Sequence, residues 1–226
     1  MTESDQRLDK PQPPLETPCD GARIKLPEPS LPQAEAITLD AAITNRRSIR
    51  KYKDEPISLE ALSYTLWATQ GVQRKIEGRA TLRTVPSAGA RHPFDTYLLV
   101  NNISGLEPGL YRYIAMEHTL VKRDVHANTA DKFKEACLGQ DMVKSAAVTL
   151  FYVADTYRMS YRYSERGYRY IFLDAGHVMQ NLYLVAEQLS CGTCAIGAFD
   201  DDAVNALLGL DGKQYFTAYI GPLGIK

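Results

Sequence analysis

Residues 146–154, AAVTLFYVA, form an apolar run rich in β-branched and aromatic side chains, with Ser145 and Asp155 at its ends. It shows no alternation of apolar and polar positions, which predicts a strand covered on both sides at the middle of a sheet. Residues 171–189, IFLDAGHVMQNLYLVAEQL, repeat at helical spacing on two sides. Ile171, Ala175, Val178, Leu182, Val185 and Leu189 mark one side; Phe172, Met179, Tyr183 and Ala186 mark the other. Such a helix is buried on most faces. Its exceptions, Asp174, His177, Asn181 and Gln188, fall on one polar line, as suits a subunit interface.

Shorter elements follow outward from these two. Thr38 predicts a helix N-cap, with Asp40 in the first turn and Leu39, Ala42 and Ile43 on one stripe. Ser58 caps a second helix bearing Leu59, Leu62, Leu66 and Trp67 and closed by Gly71. Thr96–Val100 reads as a buried strand, and Leu110–Tyr113 with Thr119–Lys122 as a hairpin. Phe133, Ala136 and Cys137 give a short helix ending at Gly139, and Asp200–Asp202 open another that stops at Gly209. Tyr215–Ile220 alternates as a last strand. Helices and strands mix without a βαβ rhythm, which predicts an α+β sandwich, a sheet with helices on its faces.

The chain has 226 residues, 45% hydrophobic and 23% charged, with a net charge of −1. That supports one core and argues against a general nucleic-acid binder, whose affinity would rest on excess cations. No apolar run reaches the roughly 18 residues of a membrane span, and MTESDQRLDKPQPP has no apolar signal core. Four cysteines are too few for a secreted disulfide framework, so a cytoplasmic setting is expected. Seven of the twelve prolines lie between Pro11 and Pro32, where only isolated apolar residues such as Ile24, Leu26 and Leu31 occur. The expected organisation is an extended arm over residues 1–25 and one domain over 26–226.

The candidate chemistry begins with Arg46, Arg47, Ser48 and Arg50 at the end of the first helix. Guanidiniums suit phosphate because their donors form a fixed fork. Equally, cations at a helix C-terminus offset its dipole. Pro86, Ser87, Ala88 and Gly89 offer a small-residue turn that a flat ring could approach, and Ile196, Gly197 and Ala198 lie in a second glycine-flanked segment. Each alone reads as a turn.

Taken in order, RRSIRKY, ISLEALSYTLWATQG, PSAGARHPFDTYLLV, GLYRY, ERGYRYIFLDAGHVMQNLYL, IGAFDD and YIGPLG resemble the nitroreductase family of flavin enzymes. Its SagB-type branch, which includes azoline oxidases, is the nearest likeness, from about Leu26 to Gly224. The resemblance implies a mostly antiparallel sheet with helices on both faces, in an interlocked homodimer with FMN at the interface. It assigns Arg46, Arg47, Ser48 and Arg50 to the FMN phosphate, ribityl and pyrimidine end, and Pro86, Ser87, Ala88 and Gly89 to the partner's flavin. Ile196, Gly197 and Ala198 match the loop whose backbone faces the hydride-accepting nitrogen. Lys226 is the sole basic candidate beyond the last strand. The implied activity is hydride transfer between flavin and an organic substrate or a nicotinamide donor, NADH or NADPH. The alternative is a non-catalytic flavin-binding or sensor protein.

Arg91 and His92 depart from the branch, which usually has apolar-aromatic residues after PSAGA; His92 is a candidate substrate or acid–base residue. The lysine and tyrosine ascribed to azoline oxidases have no evident counterparts. Cys191 and Cys194 form a CxxC that reads as buried small residues ahead of redox or zinc chemistry, and no metal site is expected. Between Tyr157 and Tyr170 arginines and tyrosines alternate, as expected of a helix-flanking segment near the flavin pocket's mouth, with Arg158 and Arg162 as possible anion contacts. Neither a strand-GxGxxG-helix unit nor a Walker loop occurs.

Overall fold

The computed structural model describes residues 3–30, 37–123 and 128–226. In chain order the elements are β1 (Arg23–Lys25), α1 (Leu39–Asn45), α2 (Leu59–Gln70), β2 (Val72–Ile76), β3 (Ala80–Arg83), β4 (Phe94–Val100), β5 (Gly109–Ile114), β6 (Thr119–Arg123), α3 (Thr129–Ala136) and α4 (Met142–Ser145). They continue with β7 (Val148–Asp155), α5 (Thr156–Tyr163), α6 (Gly167–Gln188), β8 (Cys191–Thr193), α7 (Asp201–Leu208) and β9 (Tyr215–Ile225). Helices start where side-chain oxygens accept backbone N–H groups: Thr38 for α1, Ser58 for α2 and Asp200 for α7.

Among the described residues the main sheet has seven strands in the order β1-β6-β5-β4-β7-β9-β8, every neighbouring pair antiparallel. Both β4 and β7 are buried along their whole length. The middle of the sheet is β4, with β7 beside it; FDTYLLV is buried throughout although it carries Asp95 and Thr96, because Asp95 is paired with Arg112 and Arg158.

Period-two alternation sends side chains to two cores. Leu98, Leu150, Tyr152 and Leu223 pack with Leu62, Leu66, Ala175, Val178 and Leu182 under α2 and α6. On the other face, Tyr97, Leu99, Phe151, Val153 and Ile220 meet Phe133, Val143, Val204 and Leu208 of α3, α4 and α7. Each such large apolar side chain contributes about 1.5–3 kcal/mol by leaving water. The fold is therefore the expected α+β sandwich with helices on both faces.

Within one chain α6 is less enclosed than its sequence suggests. Tyr168, Phe172 and Leu173 remain over half exposed, as do Leu39 and Ile43 of α1. Its polar line is also divided. Asp174 is buried, Asn181 donates to the Ala68 carbonyl at 2.8 Å, and His177 is half exposed, 4.0 Å from Asp174.

The arm lies on its own chain. Its residues 23–25 pair with β6, the Thr17 and Pro18 carbonyls accept from Arg112 at 2.7 and 3.2 Å, and the Glu16 carboxylate accepts from the Ala115 and Met116 N–H groups. Leu31 lies outside the described residues.

The sequence did not foretell the β2–β3 hairpin, α5 or the short elements β1, α4 and β8. Asp155 caps α5 by accepting from the Tyr157 and Arg158 N–H groups, so the Arg/Tyr stretch is helical before it reaches α6.

Candidate functional site

The RRSIRKY segment is laid along the sheet edge formed by β8 and β9. Ser48 makes a parallel bridge with Thr193, the Ile49 N–H donates to the Thr193 carbonyl at 2.9 Å, and the Lys53 N–H donates to the Ile225 carbonyl at 2.9 Å. Gly192 permits this approach, since a Cβ there would sit 2.5 Å from the Ile49 Cβ. Ile49 is β-branched and cannot swing that atom aside. We expect Gly192→Ala to cost about 1–3 kcal/mol by overpacking and to lift the arginine segment off β8. A melting curve would measure the first effect, and loss of ligand affinity without loss of helix content the second.

Tyr183, one of the apolar-stripe residues of α6, is the hub of this cluster. Its hydroxyl accepts from the Ala195 N–H at 2.9 Å and bonds the Ser48 hydroxyl at 3.1 Å, while the Arg46 guanidinium lies 5.0 Å over its ring. The next residue, Ile196, exchanges both backbone hydrogen bonds with Ile220, which leaves Gly197 and Ala198 turned outward. One helical turn beyond Tyr183, Glu187 pairs with the Lys226 ammonium at 2.6 Å. The structure thus gathers Arg46, Ser48, Ile196, Gly197, Ala198 and Lys226 around one end of α6.

Arg47 and Arg50 are exposed, and Arg47 donates to the Thr44 and Arg46 carbonyls, so it also caps the end of α1. The segment carries three guanidiniums and Lys226 pairs with Glu187 nearby, so the cluster can hold an anion. A phosphate is a good fit for guanidiniums beside a hydroxyl, and exposed small residues leave room for a flat ring.

Pro86–Gly89 is placed elsewhere. The Asp174 carboxylate accepts from the Ser87 hydroxyl at 2.5 Å and from the Ala88 N–H at 3.2 Å, and the Ser87 oxygen accepts from the His92 N–H at 2.8 Å. Burial, opposed by the Ser87 bond, shifts the Asp174 carboxyl upward. Gly89 has φ +57°, a conformation that favours glycine, and a Cβ there would strike the Tyr163 hydroxyl. Asp174 and Tyr183 are nine residues apart, about 13.5 Å along a helix. Within one chain the Ser87 turn and the Arg46 cluster are therefore separate.

His92 is 4% exposed, and burial followed by the charge of Arg83 pushes its pKa down to about 3. Such an imidazole is neutral and out of reach of solvent at ordinary pH. Arg91, its neighbour, is spent on the Gly89 and Arg79 carbonyls.

Arg158 is not at a pocket mouth as the sequence suggested. It is 1% exposed, paired with Asp95 and Asp155, because its place on α5 turns it into the body of the fold. Cys191 and Cys194 are buried free thiols, and burial pushes Cys191 up to about 12, a state without nucleophilic chemistry. Among the described residues no group of three or more His, Cys, Asp and Glu could hold a metal. Nor is any helix long and apolar enough to cross a membrane.

The family model described as Nitroreductase family matches residues 43–225, which include every residue of the cluster but Lys226. The chain belongs to the nitroreductase family. Members of this family typically use a flavin.

It is 36% identical over 199 residues to a Methanocaldococcus jannaschii protein named as a nitroreductase, covering 88% of this chain and 96% of that one. Over 154 residues it is 29% identical to the trifolitoxin-processing protein of Rhizobium leguminosarum bv. trifolii, covering 66% of this chain but only 41% of that one. A solved Ralstonia eutropha structure named as a nitroreductase superposes with a TM-score of 0.71 at 25% identity, covering 96% and 97% of the two chains. A Desulfovibrio desulfuricans structure described as a nitroreductase in complex with FMN gives 0.58 at 21% identity, covering 82% and 84%.

Proposed function

We propose that this chain is an FMN-dependent oxidoreductase that works as a homodimer, exchanging a hydride between its flavin and a nicotinamide donor or an organic substrate. The observation that carries this reading is the Tyr183 hub, which holds a guanidinium, a hydroxyl and an outward-turned small-residue loop together at one end of α6. Arg46, Arg47, Arg50 and Ser48 would hold the FMN phosphate and ribityl end, with Lys226 completing the positive field across Glu187. Ile196, Gly197 and Ala198 would present backbone to the ring, where a fixed donor orients it and tunes its electronics. Bound FMN supplies the two-electron chemistry, so few side chains need be catalytic.

Two features support a dimer. The Ser87 turn stands some turns of α6 away from the Arg46 cluster, so Pro86, Ser87, Ala88 and Gly89 of one copy would reach the flavin held by the other. Phe172, Leu173, Leu39 and Ile43 give the apolar surface that such an interface needs. His92, neutral and enclosed, has no part in this reading. A cytosolic setting is favoured by four cysteines that all stay free.

The test is the visible absorption spectrum of the purified protein before and after a reduced nicotinamide is added without oxygen. A yellow protein that bleaches is the expected result. A yellow protein that no nicotinamide donor bleaches would favour a flavin-binding or sensor protein. A colourless monomer that takes up no FMN would sink the proposal. The likeness to a peptide-toxin processing protein makes dehydrogenation of a peptide ring the second substrate class to assay.

A further inference from the structure

Beside the Ser87 turn lies a crevice of about 680 Å³, built from two stretches distant in sequence, Glu3–Arg7 of the arm and Arg162–Arg169 at the α5–α6 elbow. That volume is within the roughly 300–1,000 Å³ usual for small-molecule sites. The arm wall is fixed in place: the Gln6 N–H donates to the Tyr161 carbonyl at 2.8 Å, the Tyr157 hydroxyl to Asp5 at 3.0 Å, and the Tyr161 hydroxyl to the Lys10 carbonyl at 3.0 Å.

Four guanidiniums line the crevice, Arg7, Arg162, Arg166 and Arg169, against two carboxylates, Glu3 and Glu165. The 22-residue α6 begins at Gly167, so the positive end of its dipole adds to the same field. Positive charge is crowded there: after burial, the charge of Arg162 is the next cause lowering the proton affinity of Arg91. Arg162 also lies 5.6 Å over the Tyr163 ring, a placement that orients its fork.

The crevice adjoins the turn assigned to the flavin. A Cβ on Gly89 would lie 2.9 Å from the Arg162 Nε and 2.5 Å from the Tyr163 hydroxyl. A substrate with its reactive end at the flavin could therefore extend a charged tail into the crevice.

We propose that this crevice recognises the phosphate of such a tail, and that of the two nicotinamide donors it selects the one bearing a 2′-phosphate. The proposal rests on the flavin-oxidoreductase reading and gives that site its donor. A phosphomonoester offers three acceptor oxygens and a near-double charge, which guanidinium forks from two walls can share. A ribose hydroxyl at the same place offers neither.

Two measurements on the holoprotein test this, for the wild type, R162A/R169A and R162K/R169K. Calorimetry with adenosine 2′,5′-bisphosphate reads the crevice alone, and steady-state kinetics with each donor read it in turnover. The double alanine variant should bind the bisphosphate at least tenfold more weakly and raise KM for the phosphorylated donor on the order of tenfold. KM for the other donor should change less than twofold, with flavin absorbance and melting intact. The lysine variant should fall between, keeping charge but not the fork.

No bisphosphate binding by the wild type at millimolar concentration, or equal KM changes for both donors, overturns the proposal. Bisphosphate binding that the alanine variant loses, in a protein that neither donor reduces, would keep the phosphate site and overturn the hydride-transfer reading instead.

Discussion

An Asp95→Asn variant should melt about 10 °C below the parent, since breaking a buried ion pair costs about 3–5 kcal/mol and each kcal/mol moves a domain of this size about 2–4 °C. The Asp95 carboxylate lies 3.1 Å from Arg112 and 3.2 Å from Arg158, and all three side chains are almost wholly enclosed. Asparagine keeps the shape but leaves Arg112 without its carboxylate and Arg158 with Asp155 alone, at 3.4 Å. Arg158 retains the His92 carbonyl at 3.0 Å and the Thr17 hydroxyl at 2.8 Å, while its Nε and that of Arg112 already lack partners among the described residues.

Acid should narrow the gap between the two melting curves. Burial alone would raise the Asp95 carboxyl, but Arg158 and Arg112 outweigh it and hold the group below its ordinary 3.8. A carboxyl whose pKa is depressed by folding contributes stability above its unfolded value and loses it as the pH falls through the folded one. The gap should therefore stay level at neutral pH and shrink only below about pH 3.8. Glu16 and Asp155, shifted upward by burial and in smaller part by Asp95 itself, respond in the opposite sense, more in the parent than in the variant. A gap that is absent at pH 7 would mean that the network is replaceable.

Tyr183→Ala should weaken FMN binding on the order of 100-fold while the helical circular dichroism stays unchanged. The estimate sums two hydrogen bonds of about 1 kcal/mol each and a cation–π contact of about 0.5–1 kcal/mol, near the ~2.8 kcal/mol that corresponds to two decades of affinity. Tyr183→Phe keeps the ring under Arg46 but loses both hydroxyl bonds, about 2 kcal/mol, so it should bind roughly 30-fold more weakly than the parent. FMN titration followed by fluorescence quenching gives both constants. Equal affinity in the alanine variant would show that the arginine segment and the Ala195–Ala198 loop hold their places without the hub, and would remove the main support for the proposed site.

What could be read from the sequence follows from which interactions leave a side-chain pattern. AAVTLFYVA and the α6 segment had to be apolar to be covered, so strand, helix and layered architecture were legible. Thr38, Ser58 and Asp200 marked helix starts because a cap needs a particular side chain at one position. The arm was less legible: much of its hold on the body is through the Thr17 and Pro18 carbonyls, which any residue carries. The helix α5 was hidden because its Arg/Tyr alternation is polar in composition, and Arg158 is buried by paired charges that no hydrophobic period reveals.

At the site, the arginines and small-residue turns stood out as unusual clusters. Tyr183 did not, since a tyrosine on an apolar stripe reads as packing until its hydroxyl is seen to meet Ser48 and Ala195. Asp174 was visible as a polar exception on a buried helix, although its partners, Ser87 and Ala88, lie 87 and 86 residues away in sequence.

Glu3 and Arg7 form one rim of the arginine crevice, so charge added to the arm beside Glu3 would act at its entrance. An acidic tag there would compete with phosphate for the same guanidiniums, and a polyhistidine tag would add positive charge as the pH drops. Donor preference would then vary with the expression vector, so the untagged polypeptide is the form whose selectivity carries meaning.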